Sequence, residues 1–407
     1  MLVCGGGIAG IEGLLRLRRL AGDRVELTLL SPGEEFVYRP LAVREPFSAG
    51  SVRRYPLERI ASDTGTTWIR DRLERIDVEA CRAHTVGGRE LSYDAVLLAL
   101  GARESSPYEH AQVFTDRNAG EGFSGILRDI ELGEANRIAF VLPDGPAWPV
   151  PLYELALMTA ERARSMGLDV QITFVTPEGR PLKAFGQAAG DAIRTLLDAA
   201  GVELRTGVVA RVPTPQLVML GETRLEVDRI VTLPRITGPA VPGLPAGTRW
   251  SIPVDDRCVV PETGGRVFAA GDATDSAVKH GAIGAQQADV AAAGIAHLAG
   301  AGERPPPFQP VIRCMLLTGG RPLYLSAQLI GALGWRSAVY EEPPWRPEEK
   351  VIAEELGPYL DSLDGGRESG IGIMPISSRR VRSRRDVARA RSPTTRLRGS
   401  NGNRNAR

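Results

Sequence analysis

The feature that most constrains the fold is a glycine-rich stretch near the start of the chain, GGGIAG. Gly5, Gly7 and Gly10 follow a short apolar segment, Met1–Cys4, and lead into an apolar-periodic run, Ile8–Leu20. This order predicts a buried strand, a tight turn and a helix. Gly5 would permit the turn, Gly7 would let the backbone approach a pyrophosphate, and Gly10 would let the helix pack closely on the strand. A structural glycine turn without a ligand is the alternative.

A second strand is predicted at Arg24–Leu30, and it ends where a nucleotide sugar would be bound. In turns of this type an acidic residue about twenty positions after the last glycine contacts the ribose. Here that position holds Ser31, with Glu34 and Glu35 just beyond it. We therefore expect the serine hydroxyl or one of these glutamates to meet a ribose at this place.

The middle of the chain predicts a second α/β unit. A strand at Arg137–Leu142, a helix at Pro151–Ser165, a strand at Val170–Val175 and a helix at Gln187–Ala200 follow one another. Alternating strands and helices indicate a parallel sheet. The segment Pro234–Gly247, rich in proline and glycine, reads as a linker after this unit.

A third informative stretch is VFAAGDATDSAVKHGAIG. It predicts a strand at Val267–Ala270, a Gly271-Asp272 turn and an alanine-rich helix over Gly281–Leu298. An aspartate at such a turn can accept hydrogen bonds from sugar hydroxyls, and a helix start places positive dipole beside a negatively charged ring. A purely structural turn is the alternative for this pair.

Composition limits the class of protein. The chain has 407 residues, 43% of them hydrophobic and 24% charged, which is ordinary for a globular protein of two or three domains. Cys4, Cys81, Cys258 and Cys314 are far apart and form no C-x-x-C pair, and the four histidines are equally scattered. This favours a reducing compartment and predicts no metal site. No run of eighteen apolar residues occurs, so we expect a cytoplasmic protein, with peripheral contact at the inner face of a membrane as the alternative.

The C-terminal end is strongly basic. The segment Ile376–Arg407 contains eleven arginines and a single acidic residue, Asp386, giving it a charge of about +10. It has few apolar residues and no periodicity, which predicts disorder for 366–407. Contact with nucleic acid or an anionic membrane, a bare solvated tail and an altered sequence end are all compatible with it. We assign the tail no function and expect no nucleic-acid partner.

The stretches GGGIAG, LLLALGA and VFAAGDATD, in this order, resemble the two-dinucleotide-domain flavoproteins of the pyridine nucleotide-disulfide oxidoreductase superfamily. Within it the chain looks most like the group of sulfide:quinone oxidoreductase and type II NADH dehydrogenase, from Met1 to about Leu363. The resemblance implies an α/β protein with two nested Rossmann-like dinucleotide-binding domains, a C-terminal capping region and a disordered basic tail. The implied parts are 1–112 and 235–308 for the FAD-binding domain, 113–234 for a degenerate NAD-type domain, 309–365 for the capping region and 366–407 for the tail.

The resemblance also implies an FAD site, residue by residue. The implied contacts are Gly5, Gly7, Ile8, Ala9 and Gly10 with the pyrophosphate, Ser31 with the ribose, Leu73 with the adenine, Ala99, Leu100 and Gly101 along the cofactor, Gly271 and Asp272 with the ribityl chain, and Tyr38, Arg39, Lys279, His280 and Gly281 with the flavin. For Tyr38 a core aromatic, and for Lys279 a solvated charge, are the alternatives.

The second α/β unit lacks the glycine fingerprint. Its strand is followed by PDGPAWPVPLYELAL, in which Gly145 stands among several prolines. Proline removes the backbone N–H that a phosphate needs and fixes φ. We therefore expect no tightly held NADH in the usual pose, although Pro151 is compatible with a first helical turn.

Sulfide:quinone oxidoreductases also lack this fingerprint and carry a cysteine a few residues before a Tyr-Glu pair. The pair Tyr153-Glu154 is present here, but Trp148 holds the place of that cysteine, and a second family cysteine matches Cys314. A lone Cys314 could form a persulfide or a flavin adduct but could not close a disulfide without a distant partner. Cys258 would be such a partner only if the fold brings the two together. A buried packing role for it is the alternative. The candidate catalytic residues are thus Cys314, Lys279 for charge stabilisation and Glu154 for proton handling.

Together these features predict an FAD-dependent oxidoreductase that passes electrons from a small donor through FAD to a quinone-like acceptor. The alternatives are sulfide:quinone or NAD(P)H dehydrogenase activity proper, a non-catalytic flavin-binding redox sensor, and an altered gene product that binds FAD poorly. Apolar residues at helical spacing over Pro347–Leu363 predict a last helix, which we expect to pack on the body of the protein because it is rich in acidic residues. The oligomeric state is not predicted.

Overall fold

The computed structural model describes residues 1–115, 118, 122–145, 147–247, 251–329, 335–345 and 350–365. The strands of this part are β1 (Leu2–Cys4), β2 (Leu27–Leu30), β3 (Glu35–Tyr38), β4 (Arg53–Pro56), β5 (Thr66–Ile69), β6 (Leu73–Asp77), β7 (Arg82–Thr85), β8 (Glu90–Ser92), β9 (Val96–Leu98), β10 (Arg103–Ser105), β11 (Gln112–Val113), β12 (Arg137–Val141), β13 (Gln171–Val175), β14 (Val202–Arg205), β15 (Ala210–Thr214), β16 (Leu217–Leu220), β17 (Thr223–Glu226), β18 (Arg229–Thr232), β19 (Arg235–Thr237), β20 (Val267–Ala269), β21 (Val311–Leu316), β22 (Leu323–Leu329) and β23 (Trp335–Tyr340). The helices are α1 (Ile8–Ala21), α2 (Leu57–Asp63), α3 (Ser124–Glu131), α4 (Val150–Ser165), α5 (Gly186–Ala199), α6 (Gly281–Leu298) and α7 (Leu356–Leu363).

The first sheet is parallel and has β1 at its centre. Within the described residues its order is β20-β9-β1-β2-β5. The central strands β1 and β9 are fully buried, as expected for strands covered on both faces. Helices α1 and α6 lie side by side, and a Cβ on Gly13 would lie 3.6 Å from Cβ of Ala288, so small residues allow their close approach.

A second parallel sheet is inserted in the chain between β9 and β20. Its order in the described part is β11-β18-β12-β13-β14. The antiparallel pair β10–β19 joins the two places where the chain passes between the sheets, pairing Arg103 with Thr237. This topology confirms the predicted α/β class with two nested Rossmann-like units.

The C-terminal region contacts both units. Strands β21, β22 and β23 form an antiparallel sheet whose last strand packs on α5 of the second unit. Helix α7 instead packs on α1, with Leu356 and Leu360 buried in the hydrophobic cluster of the first unit. The expected packing of the last helix on the body of the protein is therefore observed.

Several boundaries differ from the sequence-based expectation. Strand β2 begins at Leu27 because Gly22–Arg24 forms a 3-10 turn after α1. The last helix begins at Leu356 and not near Pro347, and residues 346–349 lie outside the described part. The basic tail 366–407, predicted to be disordered, also lies outside it. Among the described residues no helix is long and apolar enough to span a membrane.

Candidate functional site

The glycine turn between β1 and α1 is built by close contacts at two of its three glycines. Gly5 has φ +119°, and a Cβ there would overlap the carbonyl oxygen of Ala99. A Cβ on Gly10 would overlap the carbonyl oxygen of Gly5. By contrast, no described residue lies within 4 Å of a Cβ placed on Gly7. Gly5 and Gly10 thus serve packing, whereas Gly7 faces open space.

The open space at Gly7 lies at the positive end of α1. Gly7 is the N-cap residue and supplies no side-chain cap. The first N–H groups of a helix have no intrahelical acceptor, so they can bind an anion placed there. Ser31 stands beside this turn, because a Cβ on Gly6 would lie 2.7 Å from its Oγ. Glu34 and Glu35 are instead engaged at the surface, by Arg70 and Arg54 respectively.

The start of α6 adjoins the start of α1. A Cβ on Gly281 would lie 2.9 Å from Cδ1 of Ile8, and one on Gly284 would lie 3.6 Å from Cβ of Ala9. Two helix N-termini therefore meet at the carboxyl end of the first sheet. Each carries the positive end of a helix dipole, so the region between them suits a ligand with separated negative groups.

The Gly271-Asp272 turn is held between these helices by a residue that the sequence analysis missed. Gln287 is buried, and its Oε1 accepts the Gly271 N–H at 2.9 Å. Burial raises the pKa of the Asp272 carboxyl, which the nearby Lys279 ammonium partly opposes. A glutamine within the otherwise apolar face of α6 was the available signal.

Lys279 has a different environment from the one expected. Its ammonium donates to the backbone carbonyl oxygen of Asp272 at 3.1 Å and also to that of Thr274. The side chain is buried, and burial lowers its pKa. This geometry favours an anchoring role in the turn over both the predicted catalytic role and the solvated alternative.

His280 lies under an indole ring at the start of α6. Its ring stacks on Trp148, with centroids 4.1 Å apart and planes at 24°. His280 Nδ1 is buried and has no hydrogen-bond partner among the described residues. Burial, followed by the Lys350 charge, lowers the pKa of His280 to about 3, so the imidazole is neutral. Trp148 thus brings the proline-rich loop of the second unit onto the first unit.

A buried ion pair lies close by. Glu154, in the second turn of α4, is fully buried, and its Oε2 lies 2.6 Å from Nζ of Lys350. Its Oε1 accepts the Leu317 N–H at 3.0 Å. Burial raises the pKa of Glu154, while Lys350 opposes the rise. Lys350 lies 196 positions away along the chain, and no local sequence pattern predicted that it would contact Glu154.

Cys314 lies in the same region but as a buried thiol. It is 1% exposed, and its Sγ donates to the carbonyl oxygen of Met315. Burial, together with the charge of Glu154, raises its pKa well above the usual value, so the thiol keeps its proton. Cys258 packs in a different hydrophobic cluster, and all four cysteines, each within the described residues, are free. The structure therefore favours the packing role over the predicted nucleophile.

The remaining predicted FAD contacts lie around the first sheet. Tyr38 is buried, its ring lies under the Arg53 guanidinium at 4.5 Å, and its hydroxyl accepts the Val351 N–H at 3.2 Å. The other positions are Arg39 at the start of a 3-10 turn after β3, Leu73 at the start of β6, and Ala99, Leu100 and Gly101 directly after β9.

The second unit differs from the first at the start of helix α4 and in the loop after strand β13. Helix α4 starts at Val150 with Pro149 as its N-cap residue. In dinucleotide folds an acidic residue after the second strand binds the ribose. Here the candidate, Glu178, accepts the N–H groups of Leu182 and Lys183 at 3.2 and 3.0 Å. This carboxylate is therefore used to hold its own loop.

Comparisons with known proteins agree with this architecture. No family model matches the chain. Over 190 residues it is 26% identical to a sulfide-quinone reductase of Aquifex aeolicus (strain VF5), a match that covers 44% of this chain and 43% of that protein, less than half of either.

Solved structures match over most of the chain. The sulfide:quinone oxidoreductase of Aquifex aeolicus has a TM-score of 0.72 at 19% identity, covering 84% of this chain and 86% of that one. A NAD-dependent persulfide reductase of A. fulgidus scores 0.60 at 18% identity, with 82% and 64% covered. A ferredoxin reductase of Rhodopseudomonas palustris scores 0.61 at 20% identity, with 81% and 82% covered. The resemblance predicted from the motifs is confirmed, and the chain has the two-dinucleotide-domain fold of the pyridine nucleotide-disulfide oxidoreductase superfamily.

Proposed function

We propose that this protein is an FAD-dependent oxidoreductase that passes electrons from a small donor through FAD to a quinone-like acceptor. The observation that carries the proposal is the glycine turn that is open at Gly7 and lies beside the adjoining starts of α1 and α6. The two positive helix ends fit a cofactor that has a pyrophosphate at one end and a ring that gains negative charge at the other.

The residues that would hold FAD follow the chain of contacts around the first sheet. The proposed set is Gly5, Gly7, Ile8, Ala9 and Gly10 for the pyrophosphate, Ser31 for the ribose, Leu73 for the adenine, Ala99, Leu100 and Gly101 along the cofactor, Gly271 and Asp272 for the ribityl chain, and Tyr38, Arg39, His280 and Gly281 for the flavin. Lys279 would contribute indirectly by holding the turn that carries Asp272.

Bound FAD would supply the two-electron chemistry, because it can take two electrons from a donor and release them to an acceptor. The chain would contribute charge stabilisation and proton handling. The N–H groups at the start of α6 would face negative charge. Glu154 and Lys350 form a buried pair that can hold a proton at Glu154 Oε2 or Lys350 Nζ. Nδ1 of neutral His280, which has no partner within the described part of the chain, could hydrogen-bond a bound molecule.

The donor proposed here is neither a nicotinamide held in the usual pose nor a sulfide processed by a thiol pair. The loop before α4 lacks the glycine fingerprint, and Glu178 is engaged by backbone N–H groups. Burial raises the pKa of the Cys314 thiol, and Trp148 holds the place of the cysteine that sulfide:quinone oxidoreductases carry before their Tyr-Glu pair. A small donor that reaches the flavin without covalent attachment to the protein fits these residues.

A quinone-like acceptor is supported by the relative whose name, sulfide-quinone reductase, states a quinone for that protein. Quinones with long tails partition into lipid. We therefore propose a weak peripheral contact at the inner face of a membrane, although no described helix is able to span one.

An anaerobic spectrum tests this function. The purified protein is expected to be yellow. Sulfide, other small reductants, NADH and NADPH are added separately to the anaerobic protein, and a soluble quinone is then supplied. Bleaching by a small reductant, followed by recovery with the quinone, is the expected result. A flavin that no donor bleaches would favour the redox-sensor alternative, and bleaching by a nicotinamide would favour NAD(P)H dehydrogenase activity.

A further inference from the structure

A buried carboxylate in α1 has no role in the proposed cofactor site. Glu12 lies in the first turns of α1, two residues after Gly10, and it is fully buried. An unpaired buried charge is strongly unfavourable, so such a side chain needs hydrogen-bond partners. Its partners in this structure are two backbone N–H groups of the C-terminal region and the side chain of Asp289 on α6.

Glu12 caps the last helix from outside that helix. Its Oε1 accepts the Glu355 N–H at 2.9 Å and its Oε2 accepts the Leu356 N–H at 2.6 Å. These N–H groups belong to the first turn of α7, where helical N–H groups lack acceptors. Both oxygens of the carboxylate are thus used to fix the start of α7 on α1.

A second carboxyl, that of Asp289 on α6, hydrogen-bonds the Glu12 side chain at this cap. Burial, followed by the Glu12 and Glu354 carboxylates, raises the pKa of Asp289 to about 9, which favours one proton shared between the Asp289 and Glu12 carboxyls. Nη1 of Arg16 lies 2.7 Å from Oε2 of Glu354 and 2.9 Å from Oε1 of Glu355, so the guanidinium offsets part of the negative charge before α7. Burial also raises the pKa of Glu12, and the two backbone N–H groups oppose that rise.

The segment fixed by this cap carries two residues into the candidate site. Val351 donates its N–H to the Tyr38 hydroxyl, and a Cβ on Gly281 would lie 3.2 Å from its Cγ2. The neighbouring residue, Lys350, pairs with Glu154. The capped N–H of Glu355 is five residues from Lys350, so fixing α7 limits where the ammonium can lie.

We propose that Glu12 is a positioning residue, which caps α7 and thereby holds Lys350 against Glu154 beside the proposed flavin site. Other polar contacts of this segment are the Arg16–Glu355 ion pair at the start of α7 and two contacts farther along the helix. Tyr359 donates to Asp63 at 2.8 Å, and Asp364 accepts from Arg53 at 3.1 Å. Glu12 is fully buried, whereas Arg16, Tyr359 and Asp364 are partly exposed, and the Val351–Tyr38 hydrogen bond holds the chain between this cap and Lys350. The benefit to flavin chemistry rests on the proposed function, whereas the positioning itself does not.

Acylation of lysines by N-hydroxysuccinimide acetate, followed by peptide mass spectrometry, tests the positioning in the protein as purified. The chain has three lysines: Lys183 is exposed, while Lys279 and Lys350 are buried. In E12Q one acceptor oxygen becomes an amide NH₂ that faces a backbone N–H. We expect the acylation rate of Lys350 to rise by about tenfold or more, with Lys183 and Lys279 unchanged.

Y359F is the matched control, because it also removes a hydrogen bond of α7 but at the surface. It should leave Lys350 as protected as in the unaltered protein. An unchanged acylation rate of Lys350 in E12Q would overturn the proposal, since it shows no positioning. An equal rise in the acylation rates of Lys279 and Lys350 would also overturn it, since it shows general loosening of the fold. If E12Q does not fold, E12D keeps the carboxyl on a shorter side chain and should expose Lys350 to a smaller extent.

A second measurement connects the position to the reaction. The pH profile of turnover should change in the same direction in E12Q and K350M, and the double variant should resemble K350M alone. Additive effects would contradict action through Lys350. Failure of the proposed function would remove turnover from every variant, including the unaltered protein, and would leave the acylation result intact, so the two failures are distinguishable.

Discussion

The two units that contain parallel sheets both begin with a strand, a turn and a helix, but they differ in what the turn can bind. After β1 the turn has Gly7 open to solvent and a helix whose first N–H groups face outward. After β12 the corresponding loop contains several prolines, and α4 begins behind Pro149. Anion binding at a helix start depends on free N–H groups and on close backbone approach. We therefore propose that the first unit holds a dinucleotide and that the second does not.

The second unit nevertheless keeps its helix for another purpose. Glu154 on α4 and Trp148 just before it both reach the region where the units meet. A helix start without a phosphate-binding turn can still carry a titratable side chain on a rigid element. The first unit would then supply the cofactor and the second unit the proton-handling group.

The largest expected effect is that of Lys350→Met on stability. This change leaves Glu154 buried without its cation, which typically costs about 3–5 kcal/mol of unfolding free energy. Urea denaturation measures it, with Lys183→Met at the surface as the control. Part of the loss should return in the double variant E154Q/K350M. A loss below about 1 kcal/mol would contradict a buried charge pair at the junction of the units.

The same variant has a defined pH dependence. The pKa of Glu154 is higher in the folded state than in the unfolded state, because the carboxyl is buried. The stability that this group contributes is therefore lost as pH rises through the folded pKa. Without Lys350 the pKa rises further. The deficit of Lys350→Met should therefore be smaller near about pH 5 than near about pH 8. A deficit that does not vary with pH would indicate lost packing instead.

Gly10→Ala should follow in size, because the new Cβ would overlap the Gly5 carbonyl oxygen. Overpacking of this kind costs about 1–3 kcal/mol, and the turn would lose its shape. Both the thermal unfolding temperature and the flavin content should fall. Normal flavin content in this variant would contradict the assignment of the turn to the cofactor.

Gly7→Ala separates binding from folding in the same turn. No described residue would be met by the added methyl group, and φ at this position is −92°, so thermal stability of the FAD-free protein should be unchanged. The methyl group would push a phosphate away from the helix start. We expect the dissociation constant for FAD to rise about tenfold, the value of one charge-assisted hydrogen bond. Unchanged affinity would place the phosphate elsewhere.

Cys314→Ala should have the smallest effect. The thiol is buried and protonated, so its removal should cost about 1 kcal/mol and leave flavin bleaching by a small donor intact. Iodoacetamide labelling gives an independent check, in which the half-buried Cys81 reacts and Cys314 does not. Loss of bleaching in this variant would restore the nucleophile interpretation.

Local signals predicted the fold well because they are read from neighbouring residues. The α6 boundaries, Gly281–Leu298, agree at both ends, and the glycine turn has the three expected environments. Contacts between distant segments were not predictable. Lys350 pairs with Glu154, and Glu12 with the start of α7, across long stretches of sequence, so only the folded chain brings these residues together. Lys279 shows the same limit, because its backbone partners depend on the path of the turn.

The central claim is that the first unit binds a dinucleotide and the second does not. The most direct test is the number of dinucleotides bound per chain, measured by FAD released on denaturation and by titration of the purified protein with NADH and NADPH. The account predicts one FAD per chain and no saturable nicotinamide binding. A colourless protein that takes up no added FAD, or a saturable second dinucleotide, would contradict it.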